Sequence, residues 1–303
     1  MEQQHENECR IFTGTSGYSY AEWIDAGFYP KGTHSSNMLP EYARFFTATE
    51  LNYTWYQMPK APAVERMRTR VPHTFRFAAK LTRTMTHEIK PESWKSQVTQ
   101  YRQGISPLIR SGQLLTVLIQ LPPYFTRTPE HRSYLAALLD ELADLPLAVE
   151  FRHDSWACDK VLSELERRKV TLVAVDEPSL PHLFPALDAV TNPDLFYVRF
   201  HGRNAKGWRS GNMQKQFDYD YADTELEDWI TRLITPMIEK AETGGIFFNN
   251  HVRGQAPKNA LRLIAMLVKA GKTPTPETGP DLPSGILPGI DPENRSWKAP
   301  SST

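Results

Sequence analysis

A single (β/α)8 barrel is the fold this sequence predicts, and three observations predict it. Eight short strand-like runs each end on a polar or charged residue. Most intervals between them hold a stretch with helical periodicity. The strand runs are rich in Val, Ile, Phe and Leu with little alternation, as parallel strands covered by helices on the outside should be. The 303 residues, 40% of them hydrophobic, suit one barrel of about 250 residues with short tails. The predicted division is a loose polar start over residues 1–10, a barrel over 11–271 and a Pro-rich tail over 272–303.

The strands are justified in order. Residues 11–16 end in Gly14-Thr15-Ser16, and residues 48–52 in Glu50-Leu51-Asn52. Residues 75–80 end on Lys80, residues 115–120 on Gln120, and residues 147–152 on Glu150-Phe151-Arg152. Residues 171–176 end on Asp176, residues 196–201 on Arg199-Phe200-His201, and residues 245–251 on Asn249-Asn250-His251. Helical stripes of large apolar residues at i, i+3 and i+4 run through 36–46, 129–145, 159–169, 224–242 and 257–270. Three connections exceed what packing needs: 16–35, 82–92 and 202–221. The first and third are aromatic, which argues against simple disorder.

Composition excludes several classes. The formal net charge is zero, so bulk attraction to polyanions is excluded, although local patches are not. Cys9 and Cys158 are the only cysteines. Two distant thiols build neither a disulfide framework nor a Cys-based metal motif, and they suit a reducing cytoplasm. The polar, acidic start does not read as a signal peptide. The longest apolar run, residues 114–119, is far short of the ~20 that span a bilayer, so no membrane role is expected.

A set of short motifs carries a resemblance. Gly14-Thr15-Ser16-Gly17-Tyr18, Trp23, Phe28-Tyr29-Pro30, Glu50-Leu51-Asn52, Phe77-Ala78-Ala79-Lys80, Gln120-Leu121-Pro122-Pro123, Glu150 through Trp156, Arg199-Phe200-His201-Gly202 and Phe248-Asn249-Asn250-His251 stand in this order. Together, over roughly residues 11–270, they resemble the domain-of-unknown-function 72 family (YecE-like). The resemblance implies a TIM-type barrel and a cytoplasmic protein, and it implies no established reaction. Tyr18 stands where the family commonly has Trp.

Barrels of this type place their chemistry at the C-terminal ends of the strands. Lys80, Arg152 and Arg199 are therefore expected to form a cationic cluster suited to carboxylate or phosphate oxygens. Glu50, Glu150 and Asp176 lie nearby, so internal pairing is also expected: a network of fixed ion pairs with one cation left for a ligand. Glu50 and Glu150 are the acid/base candidates, and His201 is an alternative proton carrier. Ser16, Tyr18, Asn52, Lys80, Gln120, Arg152, Asp176, Arg199 and Asn249 are the candidate substrate-binding residues. No metal ligand set is assigned, because the cations would repel a metal ion and satisfy the carboxylates themselves; the need for a cofactor is left open.

The function read from these residues is an enzyme acting by acid/base chemistry on a small anionic molecule. Sugar-isomerase-like or phosphodiester-hydrolase-like reactions enter by fold analogy alone. One alternative is a nucleic-acid-binding protein that uses Tyr18, Tyr20, Trp23, Trp208 and Tyr219 for stacking and Arg203, Lys206, Arg209 and Lys215 for phosphates. Another is a non-catalytic ligand-binding barrel. Because the acid/base role leaves Glu150 open to ligand, Glu150→Gln is expected to fold with little loss of stability.

Overall fold

In a computed structural model, which describes residues 9–272, eight parallel strands lie in the order β1-β8-β7-β6-β5-β4-β3-β2. They are β1 (Arg10–Thr15), β2 (Ala48–Leu51), β3 (Arg76–Lys80), β4 (Leu114–Gln120), β5 (Leu147–Glu150), β6 (Thr171–Asp176), β7 (Phe196–Phe200) and β8 (Thr243–Phe248). The chain is a (β/α)8 barrel. The expected loose start and tail fall mostly outside the described residues. The start is corrected at its end, since Cys9 is buried and Arg10 opens β1, donating its N–H to Glu242 O at 2.9 Å.

Helices cover the wall, the longest being Trp94–Arg110, Pro129–Glu141 and Gln255–Lys269. Each turns an apolar stripe inward, for example Leu135, Leu138 and Leu139 of Pro129–Glu141. The predicted stretch 224–242 is helical from Asp223 to Lys240 and contains a π-turn at Ile230–Ile234. The link between β6 and β7, residues 177–195, holds no helix. It carries Pro178, Pro181, Pro185 and Pro193, which remove backbone donors and restrict the preceding residues. Phe184 anchors it in the core.

The barrel closes between β1 and β2 through one isolated bridge, Ser16 to Glu50. Side chains supply the rest of that junction. The Tyr42 hydroxyl accepts from Thr15 N (2.7 Å) and donates to Ala48 O (3.1 Å), while Thr49 Oγ1 donates to Thr15 O (3.2 Å). The approach is close: a Cβ on Gly14 would stand 1.9 Å from Ala48 O, so this position has no room for a side chain.

Candidate functional site

Alternation along β7 decides which side chains enter the lumen. Tyr197, Arg199 and His201 share one side of the strand, and Phe200 takes the other, stacked on Phe248 at 4.5 Å. Arg199 is 1% exposed and reaches across the barrel. Its Nε and Nη2 donate to Glu50 Oε1 and Oε2, both at 2.7 Å, and its Nη1 donates to Glu150 Oε2 at 2.6 Å. Nη2 also donates to Ser16 Oγ at 3.2 Å, and the Tyr197 hydroxyl donates to Glu50 Oε1 at 2.7 Å.

Arg152 continues the network. Its Nε donates to Glu150 Oε1, its Nη1 to Glu177 Oε2 at 3.0 Å, and its Nη2 meets His201 Nε2 at 2.9 Å. Asn249 Nδ2 lies 3.0 Å from His201 Nδ1. Glu50, Glu150 and His201 have no exposed surface. Burial alone would raise the Glu150 pKa, but the guanidinium groups of Arg152 and Arg199 overcome it and hold the carboxyl well below its usual range. Burial, and then Arg152, push His201 down to about 3, so its ring is neutral.

Above this layer opens a cavity of about 850 Å³ at the strand C-terminal end. Lys80, Arg152 and Arg199 line it, with Asn52, Gln120 and Asn249 as uncharged polar groups and Tyr20, Trp55, Trp208 and Phe217 as aromatic walls. Arg152 stacks over Trp208 at 5.9 Å. Asn52 Nδ2 donates to Ser16 O at 2.9 Å, and Gln120 Nε2 donates to Leu121 O at 2.8 Å. The cations therefore face the cavity and the carboxylates sit behind them. Among the described residues Nη1 of Arg199 makes one hydrogen bond, to Glu150, which leaves its second N–H without a protein acceptor.

Lys80 differs from both arginines. Among the described residues its amine has no hydrogen-bond or ion-pair partner; it lies 5.2 Å over the Trp55 ring. Burial is the main cause that pushes its pKa down to about 7, Arg199 and Arg152 add to it, and Glu150 and Glu50 act the other way. His87 lines the same cavity. Burial, and then Lys80, push it down to about 4. Trp55 Nε1 donates to its Nδ1 at 3.3 Å, which leaves the ring proton on Nε2.

Two candidate substrate-binding residues lie elsewhere. Asp176 pairs in register with Phe200 and so faces the helices. Its carboxylate accepts from Tyr221 OH at 2.6 Å, from Trp229 Nε1 and from Arg203 Nη2 at 2.6 Å. Tyr18 packs beside Tyr42, with ring centroids 6.1 Å apart, and points its hydroxyl at Met67 rather than lining the cavity. Ser16 belongs to the buried layer as an acceptor for Arg199. Fixed arginines occupy the oxygens of Glu50 and Glu150, and neither carboxylate lines the cavity.

Sequence reasoning missed Glu177, Tyr197 and Trp55 and did not count His87 among the candidate site residues. Glu177 follows Asp176 and enters the network that Asp176 leaves. Its side chain is 3% exposed, and burial pushes its pKa up to about 7 against the pull of Arg152. Tyr197 stands two residues before Arg199, a spacing that could have found it.

Of the loop cations, Arg203 is held by Asp176 and by Glu225 (3.1 Å), and Arg209 Nη2 donates to Pro181 O at 2.7 Å. Lys206 and Lys215 are exposed. Trp23 is wholly buried and donates to His251 O at 2.8 Å, so it fastens its loop. At the rim, His153, Asp154 and His182 bring possible metal-ligand atoms within 4.8 Å of one another. His153 Nδ1 already accepts from Ser155 N at 3.1 Å. Among the described residues, no helix is long and apolar enough to cross a membrane.

Fold and site together define a (β/α)8 barrel whose mouth presents cations over a buried carboxylate layer. Residues 12–283 match the family described as "Protein of unknown function DUF72", and the chain belongs to that family. It is 29% identical over 271 residues to the UPF0759 protein YunF of Bacillus subtilis, covering 85% of this chain and 94% of that one. It is 29% identical to the UPF0759 protein YecE of Escherichia coli K12 over 187 residues, 59% of this chain and 64% of that one. A DUF72 family protein from Thermotoga maritima superposes with a TM-score of 0.78 at 32% identity, over 86% of this chain and 99% of that one. Another, from Enterococcus faecalis, gives 0.77 at 30%, over 85% and 95%.

Proposed function

We propose that this protein is a cytoplasmic enzyme acting on a small anionic molecule, whose carboxylate or phosphate group is held above Arg152 and Arg199. The observation that carries this reading is the layering of charge. Glu50 and Glu150 are saturated from behind, so the arginines are pre-set at the cavity floor with donors to spare, and a fixed guanidinium meets a planar anion at little cost in ordering. Asn52, Gln120 and Asn249 orient the ligand, and the aromatic walls exclude water from it. In this reading Glu50 and Glu150 are positioning residues. Lys80 and His87 are titratable groups at the cavity surface whose pKa values are pushed down towards the uncharged form, and these are the candidates for proton transfer.

The reading is tested by thermal melts with inorganic phosphate and with a panel of phosphorylated and carboxylated metabolites. A ligand that binds only the folded state stabilises by about 2.7 kcal/mol at a hundredfold excess over its Kd. The expected result is a saturable rise in Tm with phosphate and a larger one with some panel member. A rise no greater than chloride gives at equal ionic strength would remove the proposal. The nucleic-acid alternative is weakened because Arg203 and Arg209 are engaged by the protein.

A further inference from the structure

Three features coincide at Lys80. Its amine ends a barrel strand at the floor of the cavity, and among the described residues it has no hydrogen-bond or ion-pair partner. Two arginines that do have partners flank it and line the same floor. An aromatic face, Trp55, stands over the amine at 5.2 Å. A lysine whose only role is to bind an anion or balance a carboxylate is expected to reach the nearest carboxylate. Here Arg199 and Arg152 have taken both Glu50 and Glu150, and Lys80 is left over.

We infer that Lys80 is an imine-forming residue: its amine condenses with the aldehyde or keto group of a small anionic substrate anchored by Arg152 and Arg199. The inference rests on the anion-binding reading above and narrows it to carbonyl compounds. Lysines become nucleophiles when desolvated or set beside other cations, because both conditions favour the uncharged amine. Both hold here. The groups that face Lys80 are Arg199 from β7, Glu150 and Arg152 at the end of β5, Glu50 from β2, Trp55 from the helical turn Tyr53–Tyr56 and His87 from the 82–92 connection. Their combined effect brings the amine's pKa down to about 7, so a large fraction is uncharged near neutral pH.

The step balances without a co-reactant. The amine lone pair attacks the carbonyl carbon, and a C–N bond forms as the carbonyl π pair moves to oxygen. One N–H proton moves to that oxygen and gives a carbinolamine. The C–O bond then breaks and the oxygen leaves as water with the second N–H hydrogen, which leaves C=N. The neutral His87 ring, with its Nε2–H, is the proton carrier beside this step.

The test uses pyridoxal 5′-phosphate, a phosphorylated aldehyde, on the whole protein at substoichiometric amounts, followed by borohydride reduction and peptide mapping. Lys80 should take the label faster than the exposed Lys206 and Lys215, on the order of a hundredfold at neutral pH, given the ordinary lysine pKa of about 10.4. Its labelling should be half-maximal at about pH 7, while the exposed lysines should keep rising past ~pH 10. Inorganic phosphate should slow the labelling of Lys80 alone. Lys80→Met and Lys80→Arg should each remove that one labelled peptide and leave the others.

Label spread over surface lysines, with Lys80 no faster than they are, overturns the inference. If phosphate still raises the Tm in that case, the anion-binding reading stands while imine formation falls. If phosphate neither raises the Tm nor protects Lys80, the anionic substrate class falls, even with Lys80 labelled.

Discussion

The strand ends hold two buried carboxylate centres, and they are built differently. Inside the lumen, Glu50 and Glu150 meet Arg199 and Arg152, and side chains from β2, β5, β7 and the end of β6 converge. Outside it, Asp176 meets Trp229, Tyr221 and Arg203 in the helix layer. The outer centre has a donor for each of its oxygens and opens onto no part of the mouth cavity. It fastens the 202–221 loop and the Asp223–Trp229 helix to the wall. Among the described residues, the inner centre leaves donor capacity on its cavity side and the Lys80 amine without a polar partner. A carboxylate buried beside arginine is thus not itself a sign of function. Residual capacity facing a cavity is the sign.

Substitutions can break or sharpen this contrast. The largest effect is expected for Arg199→Met, which takes from buried Glu50 its arginine partner and leaves buried Glu150 with Arg152 alone. Removing one partner of a buried ion pair costs about 3–5 kcal/mol, and a urea melt should show at least that. A melt near wild type would dissolve the idea of a fixed inner network.

Glu150→Gln comes next. The sequence reading expects it to be tolerated, and the geometry reverses that expectation, since charged bonds to Arg152 and Arg199 are weakened together at about 1.5–3 kcal/mol each. Unchanged stability would return Glu150 to the list of proton carriers.

Asp176→Ala should cost about 1–3 kcal/mol through unpaired buried donors, yet leave phosphate binding and Lys80 labelling at wild-type levels. Loss of ligand binding without loss of stability would show that the outer centre is not merely structural.

Lys80→Met should act in the opposite direction and depend on pH. The folded pKa of about 7 lies below the unfolded value of about 10.4. Between them the unfolded chain holds the extra proton, so Lys80 penalises the fold fully below the folded pKa, and the penalty fades as pH rises from the folded value towards the unfolded one and is gone above it. The variant should melt above wild type by a few degrees in acid, with the gain shrinking through that window. A gain that does not vary with pH would place the amine in ordinary solvent.

The smallest effect is expected for Lys206→Ala with Lys215→Ala: within about 0.5 kcal/mol, and with phosphate binding intact. Single-stranded nucleic acid binding that falls steeply with salt in wild type, and is lost in this pair, would revive the alternative reading.

Much of this was legible in the chain. Parallel strands read as apolar runs with polar ends, so the barrel and the positions of Lys80, Arg152, Arg199 and His201 follow from sequence order. The expectation of paired charges with one cation left over also came from residue types alone. What the chain hides is facing. Leu172 through Val175 are apolar on both sides because lumen and helices both cover β6, so no alternation says whether Asp176 or Glu177 points inward. The same holds for Tyr18 and Tyr20, whose loop turns through Gly17 at φ +92°. His87 stands in a connection whose path over the mouth is set by tertiary packing.

The junction between β1 and β2 gives the inner network a mechanical side. Arg199 grips Glu50 on one edge and Ser16 on the other, so it works as a tie rod across the barrel's thinnest seam. Any guest that draws the guanidinium toward the mouth must slacken that tie, and one that leaves its grip intact stiffens the whole cylinder. The backbone amide of Gly17, bonded to Glu50 O, crosses that seam, and that of Ser16, bonded to Phe248 O, stands next to it on the β8 side. Their rate of hydrogen exchange should therefore report on occupancy of the mouth, whatever molecule fills it.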